Sequence, residues 1–265
     1  MQKLSIITVN FNNDLGLKKT IQSVLGQTYP NIEYIVIDGG SMDGSKDIIK
    51  TYENKLAFSI SEPDGGIYYG MNKGILHATG DYILFLNSGD YLDSNTSVSK
   101  IMKNSSNEDL IVYRQKFIDA STHHISLSPR LHENEVNVEF FLTSVFPHQA
   151  TLIKRTLFDK VGLYRTDLRI VSDWAFWTDA VVRHHASFVM YNYSFSIMEK
   201  GGTSSDIEKC QKEMMIVANE LLKDNFLSWT NIFHVASLGR RYQYTQRNLI
   251  SRILEKIAVY IGKNK

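Results

Sequence analysis

The sequence predicts an α/β protein built on a largely parallel sheet, followed by a helical C-terminal extension. Three observations carry this. Strand-length apolar runs alternate with helix-spaced patterns through the first hundred residues. Each apolar run stops at a cluster of Asp, Asn and Gly. Beyond Gly201-Gly202 the pattern changes to three- and four-residue steps. A chain of 265 residues can bury one substantial core with an appendage, so one domain over 1–205 and a helical extension over 206–265 are expected.

The elements follow in order. Leu4–Val9 is a buried strand, and Asn10-Phe11-Asn12-Asn13-Asp14 is the loop after it. Leu17, Ile21, Val24 and Leu25 recur at helical spacing until Tyr29-Pro30-Asn31 breaks the helix. Tyr34–Ile37 is the second strand, ending in Asp38-Gly39-Gly40-Ser41, and Asp43 is placed to cap a helix through Ile48, Ile49 and Tyr52. Ala57–Ile60 is a short third strand, and Ile67, Met71 and Ile75 mark a helix closing by Gly80. Tyr82–Leu86 is a continuous apolar strand that ends at Asn87-Ser88-Gly89-Asp90. In open α/β sheets ligands sit outside the carboxyl ends of the strands, so these clusters are expected to share a crevice. The middle is less regular: a strand over Asp109–Tyr113, a loop or hairpin over Lys116–Asn134, a turn and strand from Phe146 to Ile153, a helix through Leu157 and Phe158 ending at Gly162, and a helix over Asp173–His184.

Composition excludes several classes. Hydrophobic residues at 43% and charged residues at 22% describe a folded globular chain. A net charge of +1 provides no global field toward nucleic acid, and none is expected as a partner. Cys210 is the single cysteine, which excludes an internal disulfide or a cysteine zinc site and fits a reducing cytosol. The N-terminus lacks the regions of a signal peptide, and no apolar run approaches the ~20 residues that span a bilayer. A cytoplasmic location, in solution or at the inner membrane face, is the expectation. From Gly239 to Lys265, seven Lys and Arg stand against Glu255, beside an apolar stripe of Leu249, Ile250, Ile253, Leu254, Ile257, Tyr260 and Ile261. Such a basic amphipathic helix reads either as a peripheral membrane contact or as a helix packed on the domain with a solvated basic face.

Four segments at compatible spacing resemble one family: Thr8-Val9-Asn10-Phe11-Asn12, Val36–Gly44, Leu84–Asp90 and Val171-Ser172-Asp173-Trp174 are similar to glycosyltransferase family 2. Within it, Ser61–Tyr68 with Met71-Asn72-Lys73-Gly74 resembles bacterial enzymes of capsule, exopolysaccharide and O-antigen assembly. The resemblance covers about the first 205 residues. It implies a GT-A fold, an inverting mechanism, a UDP-, dTDP- or GDP-sugar donor, a saccharide acceptor that a polyprenyl lipid could carry, and Mn²⁺ or Mg²⁺.

The resemblance distributes roles among the residues. Thr8, Asn10, Asp38, Gly39, Asp64, Asn72 and Lys73 are expected at the nucleotide, with Asp38 accepting an imide N–H of the base. Read physically, Asp38 could equally cap its turn, Asp64 could be only a helix-start carboxylate, and Lys73 a solvated surface lysine. Asp90 is the expected metal ligand, since hard oxygens suit these ions. Asn87, Ser88 and Gly89 stand where relatives often place further aspartates, which leaves one anion on the turn. Those three, with His148 and Trp174, are expected to line the donor and acceptor pocket. Asp173 is the candidate catalytic base, with a helix N-cap as its competing role. Two rival functions remain: a sugar nucleotidyltransferase, disfavoured because Asn10–Asp14 is not a glycine-rich basic loop, and a non-catalytic nucleotide- or saccharide-binding relative, disfavoured by Asp173.

Overall fold

The computed structural model describes residues 1–104, 107–119, 122–130, 133, 136, 140, 141, 144–199 and 207–223. Its elements, in chain order, are β1 (Leu4–Asn10), α1 (Asp14–Leu25), β2 (Ile32–Asp38), α2 (Ser45–Tyr52), β3 (Phe58–Ser61), α3 (Ile67–His77), β4 (Tyr82–Phe85), β5 (Tyr91–Leu92) and α4 (Ser97–Lys103). Then come β6 (Leu110–Tyr113), β7 (Lys116–Ile118), β8 (Ile125–Leu127), β9 (Thr151–Lys154), α5 (Leu157–Val161), α6 (Ser172–Thr178), β10 (Phe188–Tyr191), β11 (Ser196–Glu199) and α7 (Ile207–Lys223). The 205/206 boundary and the basic tail lie outside the described residues.

A seven-stranded sheet in the order β10-β6-β9-β4-β1-β2-β3 forms the centre. β1, β2, β3 and β4 run parallel, as the alternation of strand and helix requires. Alternate side chains feed opposite faces. Ile7, Val9, Ile35, Ile37 and Phe85 pack with α3 residues Tyr68, Met71 and Ile75 on one side. Leu4, Ile6, Tyr34, Val36 and Leu84 pack with Leu17, Ile21 and Val24 of α1 on the other. Both faces are covered, which explains why these strands read as continuous apolar runs.

Two features go beyond the expected pattern. β9 enters between β4 and β6 antiparallel to both. A second sheet, β5-β11-β7-β8, stands beside the first. Its strands are two to four residues long and too short to carry a periodic signal. The helix expected over Asp173–His184 is α6 followed by a wider π turn at Asp179–Arg183. Asp43 does not cap α2, whose N-cap is Gly44. Its carboxylate instead joins two helix starts, accepting from Ser45 N and Asp14 N, each at 3.0 Å.

At the end of the sheet away from the strand carboxyl ends, Glu33 is buried and ties three segments together. It accepts from Lys3 Nζ at 2.6 Å, Ser5 Oγ at 2.6 Å and Thr79 N at 2.7 Å. Burial alone would raise its pKa, but these donors outweigh it and hold the carboxyl at about 2. The folded value lies below the ordinary 4.5, so this stabilisation is present above pH 4.5 and lost as pH falls toward 2. Glu33→Gln is expected to lower the melting temperature at pH 7 by about 5 °C, from about 2 kcal/mol of charge-assisted hydrogen bonding. Thermal scans from pH 7 to pH 3 should show the gap to wild type narrowing as acid is added; a constant gap would refute the ionic contribution.

Candidate active site

The carboxyl ends of β1, β2, β3 and β4 lie along one edge of the sheet and carry Asn10, Asp38, Ser61 and the Asn87–Asp90 turn. The antiparallel β9 starts at this same edge. Its register sets Ile83 opposite Ile153 and Tyr82 opposite Lys154. Continued past Phe85, that register brings the His148–Gln149 turn beside Asn87. Reversing one strand therefore delivers a residue far along the chain to the cluster made by the first four.

His148 bridges two groups there. Its Nδ1 lies 3.1 Å from Asp173 Oδ2, and its Nε2 lies 3.3 Å from Asn87 Nδ2. One neutral tautomer satisfies both: the Nδ1 proton is donated to Asp173 while Nε2 accepts from the Asn87 amide. Asp173 stands in the first turn of α6, whose N-cap is Val171, so it is not the cap residue. Its Oδ1 accepts from the Tyr68 hydroxyl at 3.0 Å and from Trp174 N at 2.8 Å. Burial, and then the charge of Asp173, raise the Tyr68 pKa well above its ordinary value, so the phenol keeps its proton and acts as a donor. The Asp173 and His148 side chains each remain 17% exposed, held from within yet reachable from outside. Tyr68 was not singled out from the sequence. A buried tyrosine in the first turn of a helix looks like core, and only the fold turns its hydroxyl toward a carboxylate.

Asp90 and Asp38 occupy comparable strand ends with opposite electrostatics. Asp38 is wholly buried. Its Oδ1 accepts from Asn10 Nδ2 at 2.7 Å and from Ser41 Oγ, and its Oδ2 from Ser41 N at 2.9 Å and Ser61 Oγ at 2.6 Å. Burial raises its pKa, but those donors outweigh the cost and hold it below the ordinary value. Asp90 is 6% exposed, and burial pushes its pKa up to about 7 despite help from His148, Gln149 and the Asn87 backbone. The turn that carries it is pinned by Thr20 Oγ1, which accepts from Gly89 N at 3.0 Å and donates to Asp90 O at 2.6 Å. Gly89 takes φ +103°, a conformation that side chains resist. Ser88 O accepts from Asn13 at the start of α1.

The residues expected at the nucleotide make the following hydrogen bonds within the protein. Both Asp38 oxygens accept hydrogen bonds from within the protein. Thr8 is buried, bonded to Leu86 O at 2.7 Å and 3.0 Å from the Tyr34 hydroxyl. Asn10 Nδ2 is committed to Asp38 and to Ser45 Oγ at 2.9 Å. Asn72 clamps the backbone of Tyr164, donating to its oxygen at 2.8 Å and accepting from its nitrogen at 2.9 Å. Lys73 pairs with Glu62. Trp174 is 5% exposed, packs with Leu168, Val171 and Val217, and donates to Phe141 O. Gly39 and Asp64 do meet: a Cβ on Gly39 would lie 3.2 Å from Asp64 Oδ1, and one on Gly70 would lie 3.3 Å from Oδ2. The half-buried Asp64 carboxylate is thus framed by two positions without side chains, beside the exposed Tyr69.

The model of glycosyl transferase family 2 matches residues 5–162, more than half the chain. The chain belongs to this family. Among curated relatives, this family 2 chain is 35% identical over 176 residues to an uncharacterized glycosyltransferase of Mycobacterium tuberculosis, covering 65% of the chain and 66% of that protein. It is 30% identical over 182 residues to one of Rickettsia typhi, covering 66% of the chain and 57% of the relative. It therefore spans less than two thirds of both. A PGL/p-HBAD biosynthesis glycosyltransferase of Mycobacterium bovis is 28% identical over 218 residues, 77% of the chain and 79% of its own length. In structure, S. aureus TarS 1–349 in complex with UDP-GlcNAc superposes with TM-score 0.70 at 18% identity, over 93% of the chain and 74% of TarS. The mannosyltransferase PcManGT of Pyrobaculum calidifontis, in complex with GDP-Man and Mn²⁺, gives 0.64 at 14% identity, over 98% and 81%. The fold is GT-A, as the motifs implied.

Among the described residues no three His, Cys, Asp or Glu side chains form a metal cage. The Asn87–Asp90 turn nonetheless suits a hard cation. Asn87 Oδ1 is buried without a hydrogen-bond partner, and the Asp90 carboxylate is buried with too few donors to stay ionised below neutrality. The folded pKa of Asp90 is raised above its ordinary 3.8, so its burial penalty is absent at pH 4, grows as pH rises, and is complete above about 7. In EDTA at pH 8, Asp90→Asn is expected to raise stability by up to about 4 kcal/mol, with the gain vanishing near pH 4. Thermal scans at both pH values check this, and equal melting temperatures at pH 8 would refute the buried-charge cost.

Proposed function

We propose that this chain is an inverting glycosyltransferase that moves a sugar from a nucleoside-diphosphate donor to a hydroxyl of a saccharide acceptor in bacterial surface polysaccharide assembly. The observation that carries this is the Asp173 carboxylate: one oxygen held by Tyr68 and Trp174, the other facing His148, a single imidazole away from the Asn87–Asp90 turn. Asp173 takes the proton of the acceptor hydroxyl while that oxygen attacks the anomeric carbon from the face opposite the diphosphate. The bond from carbon to the diphosphate oxygen breaks, the configuration inverts, and the proton ends on Asp173. Tyr68 and His148 fix the direction in which the carboxylate points. Asp64, framed by Gly39 and Gly70, supports a contact with the nucleoside. Asp90 and Asn87 would hold a Mn²⁺ or Mg²⁺ ion. Such an ion would offset the negative charge of the departing diphosphate.

Among the described residues no helix is long and apolar enough to cross a membrane. The basic amphipathic stripe of 239–265 supports a peripheral membrane contact suited to a lipid-linked acceptor. Flotation on anionic liposomes is expected for the full chain and not for a chain ending at residue 238; equal behaviour would remove the membrane role.

The central test is Asp173→Asn, assayed over a panel of UDP-, dTDP- and GDP-sugars with Mn²⁺. Turnover, read as donor hydrolysis in the absence of acceptor, should fall by about 10²–10⁴-fold while donor binding persists. Undiminished turnover would overturn the assignment of the base.

A further inference from the structure

We propose that Glu213, on the C-terminal helix α7, is a positioning residue for Asp173; the proposal rests on the reading of Asp173 as the base. The segment before α6 arrives with backbone groups that nothing nearby satisfies. Its N-cap residue Val171 makes no side-chain cap. The acceptor comes from 42 to 44 residues further along the chain. Glu213 Oε1 accepts from Arg169 N at 2.8 Å, and its Oε2 from Ile170 N at 2.8 Å and Val171 N at 3.1 Å. One carboxylate thereby holds three successive N–H groups, ending two residues before Asp173.

The same segment is tied from the opposite side. The Tyr68 hydroxyl lies 2.6 Å from Ile170 O and 3.0 Å from Asp173 Oδ1. Backbone and catalytic carboxylate therefore share one anchor, and displacing residues 169–171 displaces the partner of Asp173 with them. The apolar face of α7 supports this grip. Val217, with Cys210 and Met214, packs on Leu168, Val171, Trp174 and Ala175. Arg165 adds an ion pair to Glu220 beyond the apolar patch. The start of the extension thus builds the site rather than merely following it.

The experiment is a double-mutant cycle on the full chain: wild type, Glu213→Ala, Asp173→Asn and the double variant. The probe is whichever of UDP-GlcNAc, UDP-glucose, dTDP-rhamnose or GDP-mannose the wild type hydrolyses fastest with Mn²⁺. Glu213→Ala is expected to lower kcat by about 10–100-fold, with donor KM within about twofold. In the Asp173→Asn background the same change should cost less than about twofold, because a base already removed cannot be misplaced. Glu213→Gln, which keeps an acceptor, should recover part of the loss and serves if the alanine variant does not fold. Amide exchange of residues 169–171 should quicken in the Glu213 variants, a readout independent of turnover. An unchanged kcat, an equal loss in both backgrounds, or unchanged exchange would overturn the role of Glu213. Full turnover by Asp173→Asn would instead overturn the base assignment, and the positioning role with it.

Discussion

One imidazole joins the distant segments of the candidate site. His148 spans the gap between the Asn87 amide and the Asp173 carboxylate, and these belong to segments that share no local contact in sequence. It stands there because β9 runs antiparallel to β4, which starts β9 at the edge where β4 ends. Had β9 continued the parallel pattern, its leading turn would lie at the other end of the sheet. The candidate site is thus made by a break in the regularity of the fold, and the parallel strands supply the ledge on which the break acts.

That ledge separates two uses of a buried carboxylate. Asp38 is surrounded by four donors and stabilises the turn between β2 and α2; Gly40, at φ +82° and with Pro63 packed where a side chain would stand, completes it. Asp90 has comparable burial and fewer donors, so it holds its charge at a cost. A structural carboxylate satisfies itself within the protein. Asp90 is left partly unsatisfied, and Asn87 Oδ1 on the same turn is buried without a partner.

The strand ends and the first three helices were legible because their periodicities are strong and the breakers at Pro30, Gly39-Gly40, Gly80 and Asn87–Gly89 fall where a strand or helix stops. Asp90 and Asp173 stand out in the sequence because acidic side chains closing an apolar strand or opening a helix carry a cost that demands a reason. The internal hydrogen bonds of Thr8, Asn10, Asn72 and Trp174 were not legible. A polar or aromatic residue inside a motif can serve the motif's backbone, and Asn72, clamped to Tyr164 across the fold, gives no local sign of it. Tyr68 and Glu213 carried no signal because each acts on a partner far along the chain.

By itself, the sequence determined the α/β layering, the parallel run of β1 to β4, the family, and the residues able to carry charge at the strand ends. These follow from local periodicity and from the energetic cost of placing Asp where it stands. Only the tertiary structure decided which carboxylates are spent on the fold and which remain available, the direction of β9, and the joining of Tyr68, His148 and Glu213 around α6. Hydrogen-bond saturation is a property of three-dimensional neighbours, and no spacing along a chain encodes it.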